Sequence, residues 1–304
     1  MRDVACAICK ETDCDLLYEG TVDAARTTSD ELSSYAAHYR INRCRRCGLV
    51  YSSPVFESQR VRYLYTHTTE TNVPMGEEVG VRKTMERYYS LVRPLLRARE
   101  RVLDIGCDIG ILLDIARQDG FGKIYGIEPN PVAADAAATL PGAIISKQIY
   151  EAQDFPDDFF DLAILVHVLD HLEDPADVLH RVRRHLKPEG LVLAAVHNVR
   201  SLLAVALGER FPPYNLYHHW FFSKATLQRL FEVSGFEVVK IASTRNYYSL
   251  GYFVQKVPGL AGPLKSGIIK SLDTLGLARS VLAVPLGNIG IVSRRPRAVA
   301  AKPG

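Results

Sequence analysis

Apolar positions along the middle of the chain switch between two periods. Val102-Leu-Asp-Ile105 is a short apolar run that reads as a buried strand. Two glycines, Gly106 and Gly110, follow it. Ile111 to Arg117 (ILLDIAR) then has its apolar residues at helical spacing. The alternation continues with a strand over Ile124–Glu128, an alanine-rich helix over Pro131–Leu140, and strands over Ala143–Ser146 and Phe159–Val166. Asp174 next reads as an N-cap, with Pro175 at the first helical position. Val178, Leu179, Val182 and Leu186 line one face of that helix, Lys187-Pro188-Glu189-Gly190 ends it, and Leu191–Val196 is the following strand. Strands alternating with helices over 99–200 predict a parallel sheet in an α/β fold. Outside that stretch, Val81–Leu96 reads as a helix with Met85, Tyr88, Tyr89, Leu91, Val92 and Leu95 near 3.6 spacing. Lys224–Ser234 reads as a helix capped by Gly235, and Phe236–Ala242 and Ile289–Ser293 read as strands.

The first 60 residues lack this pattern and carry five of the six cysteines. Cys6-Ala-Ile-Cys9 and Cys44-Arg-Arg-Cys47 form two Cys-x-x-Cys knuckles, and Gly48 allows a tight turn after the second. Four thiolates at this spacing suit a tetrahedral Zn²⁺. Residues 10–43 between the knuckles hold little apolar material, so metal binding would supply the folding energy of a small module. Cys14 is a fifth thiol able to replace one ligand. A closed four-thiolate site leaves no position for a substrate, which makes the expected zinc structural. The expected organisation is a zinc-binding ribbon over 1–60, a helical linker or lid over 61–98, and a main domain over 99–304. An insert at about 246–286 carries an amphipathic stretch near Ile268–Ala283. Helical cover is expected there, and a wall for the substrate pocket, a homodimer contact and contact with a membrane-bound substrate are alternatives.

Composition narrows the function classes. The 304 residues are 47% hydrophobic with a formal charge of +3, which argues against an extended nucleic-acid footprint. MRDVACAICK has no apolar signal-peptide core, and no run approaches the ~18 apolar residues of a membrane span. A cytoplasmic location is expected, where paired cysteines favour metal over disulfides.

The candidate chemistry centres on the glycine turn. A strand, a glycine turn and a helix N-terminus let backbone press against a nucleoside ligand. Eighteen residues past Gly110, Glu128 ends the next strand, placed to accept hydrogen bonds from two ribose hydroxyls. Val-Leu-Asp-Ile-Gly-Cys-x-x-Gly followed by Gly-Ile-Glu-Pro-Asn resembles the first two motifs of class I S-adenosylmethionine (SAM)-dependent methyltransferases. His167-Val-Leu-Asp170-His171-Leu-Glu-Asp174-Pro175 resembles that family's strand-four exit, with Asp170 in place of a Glu. The resemblance covers nearly the whole chain and extends to the ribbon-linker-methyltransferase arrangement of bacterial enzymes acting on nucleotide-linked sugars, polysaccharides and natural products. It implies a doubly wound, Rossmann-like sheet of seven strands. It also implies a SAM site built from Asp104, Gly106, Cys107, Asp108, Gly110, Glu128, Pro129, Ile149, Tyr150, Val166 and His167. The chain departs from the pattern at Asp108, which replaces the middle glycine of the turn, at Ile149, where an acidic residue is common, and at Glu189.

The position of His167 at a strand's carboxyl end, where ligands of such sheets lie, makes it the leading general base. His218, His219 and Tyr65 are the other catalytic candidates, and His171 is expected to hold the loop by hydrogen bonds. Sugar C-methyltransferases of similar sequence have a Glu within a Tyr/His/Glu/His pattern. Tyr217-His218-His219 lacks it, which favours O- or N-methylation of a small-molecule acceptor, with C-methylation as an alternative. The competing readings are an RNA base methyltransferase with a zinc ribbon and a non-catalytic binding scaffold.

Overall fold

Every residue of the strand Phe160–Val166 is buried, because helices cover both faces of the sheet it joins. The structure, a computed structural model, describes residues 1–21, 37–56, 71, 73, 74, 76–150, 153–257 and 260–297. Its N-terminal elements are β1 (Cys14–Tyr18), β2 (Ile41–Cys44), β3 (Val50–Ser52) and α1 (Glu78–Val92). The central alternation runs β4 (Arg101–Ile105), α2 (Ile111–Gln118), β5 (Lys123–Ile127), α3 (Pro131–Ala137), β6 (Ala143–Ser146), β7 (Phe160–Val166), α4 (Pro175–His185) and β8 (Leu186–His197). There follow α5 (Leu202–Leu207), β9 (Trp220–Phe221), α6 (Lys224–Val233), β10 (Glu237–Ser243), β11 (Asn246–Ser249), α7 (Leu250–Lys256), α8 (Gly262–Thr274), β12 (Val281–Val284) and β13 (Asn288–Arg294).

Seven strands form the main sheet in the order β10-β13-β8-β7-β4-β5-β6, the expected doubly wound, Rossmann-like arrangement. The five strands from β8 to β6 are parallel, and β13 runs antiparallel to both its neighbours. On one face Leu103, Ile105, Ala163 and Leu165 pack with Leu179 and Val182 of α4 and Leu227 and Leu230 of α6. On the other, Val102, Leu162 and Ile164 pack with Leu91 and Val92 of α1 and Leu112 and Leu113 of α2. The chain leaves β4 toward β5 and β6, then crosses back to β7 on the other side of β4. A crevice therefore opens at the carboxyl ends of β4 and β7, the topological switch point at which such sheets bind ligands.

The cysteine-bearing segment is tied by backbone pairing to a strand from the later part of the chain. Its own sheet has the order β1-β2-β3-β9, and β9 comes from beyond residue 200. Val50 pairs with Phe221 and Tyr51 with Trp220. The buried Trp220 also donates its indole N–H to the Leu172 carbonyl oxygen at 2.7 Å.

Several boundaries differ from the sequence expectation for local reasons. The helix expected to reach Leu140 ends at Ala137, because Leu140 precedes Pro141 and is biased away from helical ψ. β8 starts at Leu186 rather than Leu191, with Glu189 at φ 66 inside an irregular stretch. Helix α4 ends at His185, one residue short of the expected Leu186, which belongs to β8, and the Asp174 side chain accepts from the backbone N–H groups of Ala176 and Asp177. In the 246–286 insert, Gly276 at φ 69 follows the end of α8, and Val281–Val284 then pairs with β11 as a strand instead of continuing a helix. Strand β1 lies inside the stretch read as coreless. Among the described residues no helix is long and apolar enough to cross a membrane.

Candidate active site

The turn after β4 depends on two glycines for different contacts. Gly106 has φ 74, and a Cβ there would lie 2.6 Å from Val168 Cγ2; Gly110 has φ 84, and a Cβ there would lie 2.6 Å from Leu140 Cδ1. Only glycine combines this backbone with this packing. Asp108, between them, is also left-handed at φ 46, a conformation that Asp tolerates better than most residues. Its backbone N–H donates to Glu128 Oε2 at 2.9 Å, while the Asn130 N–H donates to Glu128 Oε1 at 2.8 Å. Glu128 thus ties the β4 turn to the β5 turn, and Asn130 goes on to cap α3. Burial, then the Glu128 and Asp108 charges, raise the Asp104 carboxyl well above its ordinary range. Burial likewise raises Glu128, against the lowering effect of its two backbone donors. Cys107 is buried, with its sulfur against Gly126, and Val166 is buried at the end of β7. Pro129 and Ile149 are half-buried. Tyr150 lies in the core, its hydroxyl 2.7 Å from His185 Nδ1.

The loop after β7 collects histidines. His167, at φ 54, donates its backbone N–H to the Ala195 carbonyl at 2.8 Å, which binds this turn to β8. Its Nε2 is 3.3 Å from the Tyr88 hydroxyl. That hydroxyl donates to Asn246 Oδ1 at 3.0 Å and accepts from Asn288 Nδ2 at 2.8 Å. With the tyrosine proton so engaged, Nε2–H of His167 is the donor to the tyrosine oxygen, and Nδ1 is left as the basic nitrogen. The His197 ring centroid lies 4.8 Å from that of His167, and His197 Nδ1 is 2.9 Å from Asn288 Oδ1. His171 and His218 have ring centroids 4.3 Å apart, and His218 is edge-on to His197 at 5.6 Å. Burial lowers His167 and His218 well below the ordinary imidazole value, and lowers His171 to about 4. Burial pushes Asp170, in their midst, up to about 6.

Half-buried His167 and buried His218 therefore belong to one cluster beside the glycine turn, with His197 between them. His219 stands at the junction with the ribbon. Its backbone N–H donates to the Asp170 carbonyl and its carbonyl accepts from the Ser52 N–H, both at 2.8 Å, and its ring lies 6.2 Å from Tyr39. Tyr65 lies outside the described residues. Sequence reading missed Asn246 and Asn288 and took Tyr88 for a core residue. They come from β11, β13 and α1, with Tyr88 and Asn288 200 positions apart, so no local pattern marks them.

The four cysteines of the two knuckles also converge. Their sulfurs all lie within 4.8 Å of one another, with Cys6–Cys47 at 3.3 Å and Cys9–Cys44 at 3.5 Å. These distances are far from the ~2.05 Å of a disulfide. They are near the ~3.8 Å separating thiolates that sit ~2.3 Å from a shared tetrahedral ion. Gly48, at φ 75, closes the second knuckle by donating its N–H to the Cys44 carbonyl at 2.9 Å.

Comparison with known proteins finds the same architecture. The ubiquinone biosynthesis O-methyltransferase of Azorhizobium caulinodans is 27% identical over 155 residues, covering 47% of this chain and 60% of that protein. The tRNA U34 carboxymethyltransferase of Aliarcobacter butzleri is 27% identical over 111 residues, covering 34% and 36% respectively. The chain thus spans less than two thirds of each of these relatives. Among solved structures, a chain from the complex between the Haloferax volcanii Trm112 methyltransferase activator and a methyltransferase superposes with a TM-score of 0.52 at 16% identity. It covers 73% of this chain and 94% of that one, a likeness of fold. The methyltransferase domain model matches residues 80–241, more than half of the chain, and the protein belongs to that methyltransferase family.

Proposed function

We propose that the chain transfers a methyl group from SAM to an oxygen or nitrogen of a small-molecule acceptor, of the class of nucleotide-linked sugars, glycan precursors or natural-product intermediates. The observation that carries this reading is the packing of Val168 onto Gly106. It makes the glycine turn and the His167 loop two walls of one crevice at the switch point. Asp108 and Glu128 give one wall a negative character, which suits a ligand bearing a sulfonium and an ammonium. Each Glu128 oxygen accepts one backbone N–H and keeps a lone pair for a ribose hydroxyl. Bound there, SAM supplies an electrophilic methyl group. His167 Nδ1 takes the proton that the acceptor hydroxyl or ammonium must lose. Asn246, Asn288 and Tyr88 hold its ring by fixing the proton on Nε2.

The name of the ubiquinone biosynthesis relative supports an oxygen acceptor. The four-cysteine cluster is read as a structural zinc site, because four thiolates complete a tetrahedron. Calorimetry with S-adenosylhomocysteine, followed by a methyl-transfer screen of nucleotide-sugars and phenols read by mass, tests the proposal. Micromolar binding and a +14 Da product are expected. Absence of binding would sink the cofactor assignment, and methylation of RNA alone, with steep salt dependence, would replace the acceptor class.

A further inference from the structure

The loop after β7 buries a carboxylate among imidazoles and brings no side-chain donor into hydrogen-bond geometry with either of its oxygens. Asp170 is 2% exposed, and neither carboxylate oxygen has a hydrogen-bond partner among the described residues. A buried carboxylate in that state is costly unless something positive compensates it. Its near neighbours are His218 Nε2, 3.5 Å from Oδ2, and His171 Nε2, 3.9 Å from Oδ1.

The tautomer of His171 is readable from its other nitrogen. Nδ1 is 3.0 Å from the Tyr217 carbonyl oxygen, which can only accept, so Nδ1 carries the proton. Nε2 of the neutral ring then turns a lone pair toward the anionic oxygen of Asp170. His197 is set the same way. Its Nδ1 faces Asn288 Oδ1 at 2.9 Å, and the amide nitrogen of Asn288 is identified by its own donations to Tyr88 and Asn246. Two imidazoles thus present lone pairs to a cluster whose centre is a carboxylate. An imidazole held by a carbonyl acceptor at its far nitrogen is how proteins orient histidines that ligate metals.

We propose that Asp170, His171 and His218 hold a divalent transition-metal ion, separate from the cysteine site. One ligand atom from each lies within 4.8 Å of the other two. Donors ~2.1 Å from a shared ion at tetrahedral angles are ~3.4 Å apart, close to the 3.5 Å observed for His218 and Asp170. The 3.9 Å to His171 closes by a small ring shift. Two imidazoles and one carboxylate suit Zn²⁺, Fe²⁺ or Co²⁺ rather than Mg²⁺ or Ca²⁺, which prefer all-oxygen sets. Three protein ligands leave a position for water or an oxygen of the acceptor.

Co²⁺ is the probe, because it reports its ligands. Protein with the cysteine site filled by Zn²⁺, and stripped of other metal by a mild chelator, is titrated with Co²⁺. The expected result is a visible d–d absorption that saturates at one equivalent, without the near-ultraviolet charge-transfer band that thiolate ligands produce. Asp170→Asn keeps the shape and removes the charge, and should weaken Co²⁺ at least tenfold while leaving the zinc content and S-adenosylhomocysteine binding intact. If that variant does not fold, the wild-type titration decides by itself. No saturable d–d absorption in the wild type would overturn the proposal, leaving a proton as what neutralises Asp170. So would thiolate charge transfer accompanying all bound Co²⁺, or wild-type affinity in a folded Asp170→Asn protein.

Discussion

Replacing Glu128 with alanine removes more than an acceptor for ribose. The carboxylate accepts the Asp108 and Asn130 N–H groups at 2.9 and 2.8 Å, so the substitution unties the two turns that shape the crevice. The Asn130 N–H is buried and would lose its Glu128 acceptor, whereas the Asp108 N–H is part-buried and nearer to water. A hydrogen bond to a charged acceptor contributes ~1.5–3 kcal/mol, and the buried donor loses nearly all of it. Relief of repulsion among Glu128, Asp108 and Asp104 offsets part of the loss, which leaves a net destabilisation of about 2 kcal/mol. In a protein of 304 residues that lowers the melting temperature by roughly 3 °C. The loss of the ribose acceptor weakens S-adenosylhomocysteine by a further ~10- to 150-fold. Glu128→Gln should fall between, since its amide oxygen can serve Asn130 while its NH₂ opposes the Asp108 N–H. Thermal melting and calorimetry on the three proteins measure both effects. Melting of Glu128→Ala within about 1 °C of wild type, with unchanged affinity, would refute the reasoning.

The Cys44→Ser, Cys47→Ser double variant should lose about one equivalent of thiolate-bound zinc, and full retention in elemental analysis would remove the zinc assignment. His167→Ala should lower kcat by about 10²-fold or more with S-adenosylhomocysteine affinity intact, and a near-normal kcat would move the base elsewhere. His185 is buried against Tyr150, and burial, followed by the Arg184 charge, holds its pKa below the ordinary 6.5. The unfolded chain therefore binds the extra proton first, so stability is full above pH 6.5 and falls as pH drops from there toward the folded value. Urea melts at pH 7.5 and 5.5 should show a smaller acid loss in His185→Gln, and an equal loss in both proteins would show that His185 does not contribute.

The legible parts of the site are those with local causes. Gly106 and Gly110 were readable because a turn between strand and helix needs positive φ, and the structure has both there. Glu128 was readable because it ends an apolar strand. Asp174 and Pro175 were readable because caps and first-turn prolines act within three residues. The end of α3 at Ala137 is not legible, although Pro141 follows closely, because the alanines continue the helical pattern past that point. The 246–286 insert was read as helical cover because a single amphipathic window does not reveal that Gly276 ends α8 or that Val281–Val284 has a partner at Asn246–Ser249.

The sequence by itself determined the α/β class, the strands and helices of 99–200, the glycine turn and the two cysteine knuckles. Each follows from periodicity, backbone preference or ligand spacing within a few residues. Only the tertiary structure decided which of the nine histidines meet. His167, His171, His197 and His218 converge because β7 and β8 lie side by side and the segment before β9 folds back over their ends. It alone brought Tyr88, Asn246 and Asn288 to His167. It alone paired β3 with β9 across the chain. Such contacts depend on strand order and on how distant segments pack, and no window of neighbouring residues encodes them.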